Sequence, residues 1–379
     1  MVSNDFLPQV GGIQQYLDNI LRRLPDAAAF VADHPEAAAH DAEHHADPDA
    51  YRIIRGPRRY MGPTRGTERA LADAIERTNA DALLFATPWP LVGLGRRLGI
   101  PTAVCTHGAE LITPAHLPLS KTWLRRQLRG ADLLYAVSEH TAAHVRGLVG
   151  DDGPPLRLLR TGVPLDTFRP DVDDRAMRDR HGLGDDPVVV CVGRLVKRKG
   201  QDRLVQAWPQ VQAAVPDARL VLVGTGPLED DLKRAADRLP SGAVTLAGRV
   251  PWEELPLYHA AADVFAHPNR TRLMGLESEG FGVIFLEAQA VARPVVAGNS
   301  GGAPEALIPG ETGLLVDGDD LDDIAAALVT LLRDPERARA MGRAGRDFVE
   351  AHYDWDRIVA GLHDDLTDLV AGARLDSQV

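Results

Sequence analysis

Cysteine and long hydrophobic runs are both scarce in this sequence of 379 residues. The two cysteines, Cys105 and Cys191, stand in short apolar runs typical of buried strands, so we expect reduced, buried thiols rather than a disulfide or a metal pair. No run approaches the ~18 apolar residues of a transmembrane helix. The opening letters MVSNDFLPQ lack a basic segment followed by an apolar one, which argues against a secretory signal and predicts a cytoplasmic protein.

An excess of positive charge is also missing. The formal net charge is −12, and because residues 1–170 contain equal numbers of acidic and basic side chains, the whole excess lies in the second half. An acidic surface repels nucleic acid and anionic membranes, so we expect no nucleic-acid partner. Only the neutral first half could meet an anionic membrane, through local basic patches.

Short apolar runs alternate with helical patterns in both halves of the chain. Continuous Val, Leu and Ala runs indicate strands that helices cover on both faces, as in a doubly wound parallel sheet. With 45% hydrophobic residues and this length, the sequence predicts two such Rossmann-like domains. The candidate strands are ALLFA, TAVCT and LLYAVS in the first half and VVVCVG, RLVLVG, AVTLAG, DVFAHP and RPVVAG in the second.

Residues 161–174 lack helical periodicity and hold two prolines, so they are predicted to form the linker. The first domain is therefore predicted over residues 1–165 and the second over residues 172–353, with a last helix over residues 355–371. Residues 34–50 contain four histidines among carboxylates. Metal binding there is conceivable, but the spacing fixes no coordination geometry, and a solvated loop is the favoured interpretation.

A glycine pair, Gly11-Gly12, directly precedes an amphipathic helical pattern. Glycines allow backbone N–H groups to come close to a phosphate, and a helix N-terminus adds a favourable field. A tight strand-to-helix turn explains the pair equally well.

Cations cluster after the first strand of the second half, in the stretch VGRLVKRKGQ. The strand is expected to end at Gly193, and Arg194 and Lys199 follow it at the edge where doubly wound sheets bind ligands. An Arg and a Lys suit a diphosphate, whereas we expect Lys197 and Arg198 to be solvated. An exposed basic loop without a ligand is the alternative.

Two glutamates, Glu279 and Glu287, flank and enter the apolar stretch GFGVIFLEAQA. Because an unpaired buried carboxylate is costly, each requires a partner. If a helix begins near Gly282, Glu287 lies about one turn inside it and Glu279 just before it. A carboxylate at this edge can accept hydrogen bonds from ribose hydroxyls, and the amides of Gly280, Phe281 and Gly282 can meet a phosphate.

Several of these motifs together resemble the retaining glycosyltransferases of family 4, which have the two-domain GT-B fold. The resemblance covers nearly the whole chain and is greatest to the mycobacterial and corynebacterial phosphatidylinositol mannosyltransferases that use GDP-mannose. It implies α/β architecture in which two Rossmann-like domains face a cleft, with the last helix returning to the acceptor-binding N-terminal domain. The motifs are Glu279-x7-Glu287, GRLVKRKGQ, GGAPE (residues 301–305), the N-terminal GGI and THGAE (residues 106–110).

The resemblance also implies roles for the residues of the second, nucleotide-sugar-binding domain. Arg194 and Lys199 would hold the donor diphosphate, Glu287 the ribose hydroxyls and Glu279 the transferred sugar. The stretch DGDD at residues 317–320 looks like a metal motif of some sugar transferases. Because it directly precedes a helical pattern, N-capping by its aspartates is the stronger interpretation.

In the first domain, the resemblance implies that Gly12, next to Gly11, meets the β-phosphate and that His107 contacts the sugar and the reaction centre. A core-facing histidine is an equal alternative for His107. Family members begin with a longer apolar strand, whereas only residues 1–3 precede Asn4 here. We therefore expect the native chain to start upstream with a Val/Leu/Ile-rich segment that lengthens a central strand.

The implied activity is metal-independent, cofactor-independent transfer of a sugar with retained configuration, mannose from GDP-mannose being favoured. A family 4 enzyme that uses a UDP-sugar or a soluble acceptor, a sugar-nucleotide epimerase and a non-catalytic nucleotide-sugar-binding protein are the alternatives. The stretch LSKTWLRRQLRG (residues 119–130) predicts a basic amphipathic helix that suits a lipid acceptor at an anionic membrane, on the inner face of the plasma membrane. An ordinary surface helix explains it nearly as well.

Overall fold

The chain divides into two units, each with its own parallel sheet, in a computed structural model that describes residues 1–9, 11–108, 110–111 and 118–376. Unit 1 comprises Met1–Gly162 together with the residues from Trp355 onward, and unit 2 comprises Val163–Asp354. The chain thus enters unit 2 within the segment predicted as the linker. The rest of that segment belongs to unit 2, because Val163 and Phe168 are buried in its core.

Unit 1 contains a seven-stranded sheet of parallel strands in the order β3-β2-β1-β4-β5-β6-β7. Its strands are β1 Val2–Ser3, β2 Ala28–Val31, β3 Arg52–Arg55, β4 Leu83–Phe85, β5 Thr102–Thr106, β6 Leu133–Ala136 and β7 Leu156–Leu158. The first strand lies in the middle, as predicted. It has only two residues, and Val2 is paired with both Phe30 and Phe85.

Helices cover the sheet of unit 1 on both faces. The described helices are α1 Gly12–Arg23, α2 Ala37–His44, α3 Arg65–Thr78, α4 Gly93–Leu98, α5 Pro118–Leu128, α6 Glu139–Val149 and the C-terminal α14 Trp355–Asp376. The C-terminal helix packs beside α1, where Trp355 and Leu362 share one core with Tyr16 and Leu17. This packing explains why the end of the chain belongs to the same unit as its beginning.

Unit 2 contains a six-stranded parallel sheet in the order β10-β9-β8-β11-β12-β13. Its strands are β8 Val188–Val192, β9 Arg219–Val223, β10 Val244–Gly248, β11 Val264–His267, β12 Val295–Gly298 and β13 Gly313–Val316. Its α-helices are α7 Arg175–Arg180, α8 Gln201–Ala214, α9 Glu229–Ala236, α10 Leu255–Ala261, α11 Val283–Ala290, α12 Leu321–Arg333 and α13 Pro335–His352.

Strand β8 shows why its sequence is apolar without alternation. Val188 and Val190 face one hydrophobic core and Val189 and Cys191 face the other, so helices cover both surfaces of the sheet. The eight strands predicted from the sequence are all present. Both cysteines are buried and unpaired, as expected.

The histidine-rich segment departs from its prediction as a solvated loop. Residues 37–44 form helix α2, because three consecutive alanines favour the helix. His44 is buried, and its Nε2 donates to the carbonyl oxygen of Tyr51 at 2.9 Å. The described residues contain no group of three or more His, Cys, Asp or Glu side chains that could hold a metal ion.

Candidate active site

The loop after β8 carries the basic cluster of unit 2. Residues 197–199 form a single 3₁₀ turn, and Gly200 follows with φ +79° before α8 begins. A Cβ atom at Gly200 would lie 2.1 Å from the carbonyl oxygen of Pro268, so only glycine lets the turn pack against the loop after β11. The turn therefore brings Lys199 to the ligand edge of the sheet, and Arg194 is exposed in the same loop.

Glu279 is buried at this edge and accepts three hydrogen bonds on one carboxylate oxygen. Its Oε2 receives Nζ of Lys199 at 2.6 Å, Nδ2 of Asn269 at 2.7 Å and Nη1 of Arg198 at 3.1 Å. Burial alone would raise the pKa of Glu279, but the charges of Lys199 and Arg198 outweigh it and lower that pKa to about 2. The carboxylate is therefore ionised and firmly held.

The expectation that Arg198 is solvated is wrong. Its guanidinium is only 34% exposed and pairs with Glu279, because the 3₁₀ turn directs it toward the carboxylate along with Lys199. Lys197, in the same turn, is exposed as expected. The buried Glu279 thus pairs with two of the four basic residues in the loop. The spacing of charges along the sequence did not show which two.

Helix α11 begins where the sequence predicts it, with Gly282 at its N-cap. Gly282 has φ +93°, and a Cβ atom there would lie 2.7 Å from the ring of Phe285. Gly280 and Phe281 stand between Glu279 and this helix. The neighbouring loop closes on the same segment, because the N–H of Gly302 donates to the carbonyl oxygen of Glu279 at 2.8 Å.

Glu287 lies one turn inside α11, and its side chain is 12% exposed. Its Oε2 is 3.3 Å from Nε2 of His259, a fully buried residue of α10. His259 is thus the neighbour of Glu287, but unlike the contacts of Glu279 this one is not a directed hydrogen bond. Both carboxylates occupy the positions relative to α11 that the sequence predicts.

A series of hydrogen-bonded polar side chains next to Glu279 was not predicted from the sequence. Asn269 donates to Glu279, and its Oδ1 lies 3.1 Å from Nδ1 of the buried His267 at the end of β11. Burial, together with the charge of Lys199, lowers the pKa of His267 to about 3, so its ring is neutral. The signal available in the sequence was HPN, with a polar residue at the end of an apolar strand and another just after it, at the edge where such sheets bind ligands.

In unit 1, the glycine pair begins α1 as predicted, with Gly11 at the N-cap. The φ of Gly11 is −179°, an extended conformation that any residue adopts. A Cβ atom at Gly12 would meet no atom within 4 Å. Neither a positive φ nor packing therefore requires glycine at position 12, whereas a Cβ atom at Gly11 would lie 2.5 Å from Oε1 of Gln14.

His107 follows β5 and is close to α1. Its ring meets that of Tyr16 edge to face, at 5.3 Å between centroids, and its Nε2 donates to the carbonyl oxygen of Ala86 at 2.9 Å. Oε1 of Glu110 accepts the backbone N–H of His107 at 2.5 Å. His107 and the glycine helix are therefore neighbours within unit 1, whereas Ala109 of the same motif lies outside the described residues.

Helix α5 contains the predicted basic amphipathic segment. Leu124 and Leu128 are fully buried, whereas Leu119 is 89% exposed and Trp123 39% exposed. Trp89, which the sequence analysis missed, is also exposed and packs on Trp123 at 6.3 Å. The signal available was TPWP, a tryptophan between two prolines and outside any helical pattern.

The basic side of α5 is smaller than predicted. Arg129 was expected to belong to it, but its guanidinium donates to the carbonyl oxygen of Val149 at 2.6 and 2.9 Å and pairs with Asp152. Lys121, Arg125 and Arg126 are exposed, and so is Arg129, although its guanidinium is engaged by these partners. No helix in the part of the chain that the structure describes has the length and hydrophobicity needed to span a membrane.

The DGDD stretch caps a helix, as the sequence predicts. Oδ1 of Asp320 accepts the N–H groups of Asp322 at 2.9 Å and Asp323 at 3.2 Å. Asp319 pairs with Arg203 at 3.2 Å. These aspartates are therefore committed to α12 and to a surface ion pair.

Family models match both units. Residues 173–348 match the model described as "Glycosyl transferases group 1", and residues 10–167 match the model described as "Glycosyltransferase Family 4". Together the two matches span nearly the whole chain.

Curated proteins of similar length also match. The GDP-mannose-dependent alpha-(1-6)-phosphatidylinositol monomannoside mannosyltransferase of Mycolicibacterium smegmatis is 42% identical, covering 99% of this chain and 98% of that protein. The enzyme of the same name from Mycobacterium tuberculosis H37Rv is 41% identical, with 96% of each chain covered. A monoacylated-substrate counterpart from Corynebacterium glutamicum is 41% identical, with 94% of each covered.

Solved structures share the fold at lower identity. Anabaena HepE in complex with UDP and glucose has a TM-score of 0.77 at 20% identity, covering 97% of this chain and 98% of that chain. Sucrose-phosphate synthase from Thermosynechococcus elongatus has a TM-score of 0.74 at 25% identity, covering 96% and 94%. WaaG, a glycosyltransferase involved in lipopolysaccharide biosynthesis, has a TM-score of 0.66 at 16% identity, covering 97% and 99%.

Proposed function

The chain belongs to the family 4, group 1 glycosyltransferases with the predicted GT-B fold, and on this premise we propose that it transfers mannose from GDP-mannose to a phosphatidylinositol monomannoside. The transfer retains the anomeric configuration. Three curated mannosyltransferases of this description are 41–42% identical to nearly the whole chain, which supports this choice of donor and acceptor.

The observation that carries the proposal is the cation pair held by Glu279. An oxocarbenium-like transition state needs its departing diphosphate stabilised by preorganised charge. Lys199 is fixed to within hydrogen-bonding distance of a buried carboxylate, so its ammonium is positioned before the donor arrives. The exposed Arg194 supplies a second, bidentate donor in the same loop.

The two glutamates take different parts in the proposal. Glu279 meets hydroxyls of the transferred sugar and keeps Lys199 in place. Glu287 accepts hydrogen bonds from the ribose, because a carboxylate is acceptor-only and matches a vicinal diol. The segment formed by Gly280, Phe281 and Gly282 contributes backbone amides at the start of α11.

In unit 1, Gly12 gives the β-phosphate room to approach the first turn of α1, with Gly11 at the cap. His107 contacts the transferred sugar through its ring. Its Nε2 donates to a backbone carbonyl oxygen, so Nδ1 is the ring nitrogen that can contact the sugar.

The lipid acceptor implies contact with a membrane surface, and α5 offers a suitable one. Leu119, Trp123 and Trp89 form an exposed apolar patch beside Lys121 and Arg125. Apolar side chains and cations together favour peripheral binding to anionic lipid on the inner face of the plasma membrane.

The test is transfer of radiolabel from GDP-mannose to phosphatidylinositol monomannoside in mixed micelles. We expect labelled lipid with the α configuration by NMR, formed at a rate lower by about 100-fold or more with Lys199→Ala. Parallel reactions contain UDP-glucose, a water-soluble acceptor or donor alone. Label transferred only from UDP-glucose, or only to the soluble acceptor, would overturn the proposal.

A further inference from the structure

Unit 2 contains two fully buried histidines, His259 on α10 and His267 at the end of β11. Histidine is seldom buried without partners, because an unpaired ring nitrogen loses its hydrogen bonds to water. Both nitrogens of His259 and Nε2 of His267 lack a well-directed hydrogen bond within the described residues. Packing alone does not explain these residues, since apolar side chains would fill the same space without that loss.

Each of these histidines lies directly behind one of the two site glutamates. Nε2 of His259 is 3.3 Å from Oε2 of Glu287. His267 reaches Glu279 through Asn269, over contacts of 3.1 and 2.7 Å. These are the two carboxylates to which we assign separate contacts with the donor.

The surroundings fix both rings. His259 lies between the rings of Phe168 and Phe265, at centroid distances of 5.7 and 5.0 Å. The rings hold the imidazole so that its Nε2 lies 3.3 Å from Oε2 of Glu287, although the two atoms are not aligned for a hydrogen bond. Because this contact is not a directed hydrogen bond, the carboxylate can also accept a ligand hydroxyl.

The tautomer of His267 follows from its neighbour. The amide N–H of Asn269 donates to Glu279, so its oxygen faces His267 and must accept a hydrogen bond from Nδ1–H. The chain from His267 through Asn269 to Glu279 therefore runs in one direction. It orients the oxygen of Glu279 that also receives Lys199.

We propose that His259 and His267 are positioning residues, each of which orients one donor-binding glutamate without touching the substrate. The inference rests on the proposed function of Glu287 and Glu279. It deepens that proposal by assigning a separate histidine to each carboxylate. Substitution of one histidine should therefore affect nucleoside binding, and substitution of the other should affect sugar transfer.

The test for His259 uses the full chain and two substitutions. His259→Phe keeps the aromatic packing and removes the donor, so we expect an unchanged or higher Tm, with the GDP Kd and the donor KM raised about tenfold and kcat unchanged. His259→Gln replaces the Nε2 donor and should return the Kd to within about twofold of the wild type. Calorimetry with GDP gives the Kd without any requirement for turnover.

The test for His267 follows the same design with a different readout. His267→Leu should lower kcat about tenfold with little change in the GDP Kd, because Glu279 acts on the transferred sugar. His267→Asn returns a donor near the position of Nδ1 and should restore most of kcat. Thermal unfolding of each variant separates these effects from a loss of folding.

The outcomes distinguish this inference from the proposed function. If Glu287→Ala weakens GDP binding while His259→Phe binds GDP like the wild type and His267→Leu keeps its kcat, the inference alone is overturned. If Glu287→Ala also binds GDP normally, the donor site itself is misplaced and both proposals fall. If the Phe and Gln variants of His259 lose GDP affinity equally, the role of His259 is packing and not positioning, and the inference is also overturned.

Discussion

The two units present the same edge of a parallel sheet with different chemistry. In unit 2, Lys199 and Glu279 form a largely buried ion pair, which Arg198 joins. In unit 1 they are a glycine with open space around it and a histidine bonded to a backbone carbonyl oxygen. An ion pair at the edge of one sheet thus contrasts with open space and a backbone hydrogen bond at the edge of the other.

This difference predicts how substitutions in each unit will act. A buried charge that loses its partner destabilises the fold, and a preorganised charge strongly stabilises a charged transition state. Substitutions of these charged residues in unit 2 should therefore have large effects on stability and on kcat. Changes at Gly12 act through volume alone and should leave folding intact. The predictions below test this contrast from the largest expected effect to the smallest.

Lys199→Ala should lower kcat by about 100-fold or more, corresponding to roughly 2.7 kcal/mol of transition-state stabilisation. The ammonium is held at 2.6 Å from Glu279, where it can meet the charge that grows on the leaving diphosphate. Steady-state kinetics with GDP-mannose measure the effect. The matched control is Lys197→Ala in the same turn, where the side chain is exposed and activity should stay near that of the wild type.

Equal activity of the two lysine variants would contradict this prediction. It would mean that the basic loop acts as a diffuse cationic surface, the alternative that the sequence left open. The fixed charge of unit 2 would then have no role in the chemistry.

Glu279→Gln should remove a pH-dependent part of the stability. The pKa of Glu279 is about 2 in the folded protein, below its ordinary value of 4.5, so the ionised carboxylate stabilises the fold above about pH 4.5. That stabilisation, on the order of 3 kcal/mol, is lost as the pH falls from about 4.5 toward 2. Urea unfolding at a series of pH values should show the wild type and the variant converging as the pH falls.

The control for this series is Glu311→Gln, which changes an exposed carboxylate. Its free energy of unfolding should follow that of the wild type at every pH. A constant difference between Glu279→Gln and the wild type from about pH 6 to pH 3 would show that Glu279 keeps an ordinary pKa.

Glu287→Ala should raise the donor KM about tenfold and leave kcat nearly unchanged. A ribose contact is made equally in the ground state and the transition state, so its loss weakens binding without slowing chemistry. Initial rates over a range of donor concentrations give both constants. A fall in kcat with no change in KM would move Glu287 from nucleoside binding to the reacting sugar.

More of the site could be predicted from the sequence in unit 2 than in unit 1, because a charged residue within an apolar run is unusual and points to a specific role. An acidic residue inside the apolar run GFGVIFLEAQA demands a partner, and this demand pointed to Glu279 and Glu287 before any contact was visible. The continuous apolar strands likewise predicted both sheets, since only strands covered on two faces lack alternation.

What the sequence could not provide were the partners that come from distant segments. Arg198 bonds to Glu279 from 81 residues before it, and Asn269 bonds to it from just after the preceding strand, 10 residues before it. No local pattern distinguishes Arg198 from the exposed Lys197 beside it. Arg129 shows the converse, because this exposed residue bonds through its guanidinium to the carbonyl oxygen of Val149, a partner that its spacing did not reveal.

Lipid binding should depend on the exposed cations of α5. The double substitution of Arg125 and Arg126 by Ser should reduce association with anionic vesicles about fivefold or more, since the two basic residues together contribute up to ~2 kcal/mol near such a surface and half of that is already a factor of about five. Raising the salt concentration should weaken the wild type in the same way. Vesicle co-sedimentation measures both effects.

Arg129→Ser serves as the contrasting variant, because its guanidinium is bonded to Val149. It should lower the Tm, while vesicle binding should stay near that of the wild type. Binding that is insensitive to salt and to the double substitution would show that α5 is an ordinary surface helix.

Gly12→Ala tests the open space in unit 1, and its expected effect on folding is the smallest. Gly12 is the first residue of α1, and a methyl group there would meet no atom of the chain within 4 Å. Replacing a helical glycine with alanine at an unstrained position stabilises a protein by about 0.4–1 kcal/mol, because the unfolded chain loses conformational freedom. The matched control is Gly66→Ala, at the second residue of α3, where the nearest atom would lie 3.9 Å away.

Both glycine variants should therefore melt at or slightly above the temperature of the wild type, but they should differ toward the donor. If a phosphate approaches the backbone at Gly12, the added methyl group occupies part of its space and GDP binding should weaken several-fold in that variant alone. Calorimetry with GDP and thermal unfolding give the two quantities separately. If Gly12→Ala binds GDP as tightly as Gly66→Ala does, then no phosphate comes close to this turn, and the open space at the start of α1 has no part in donor binding.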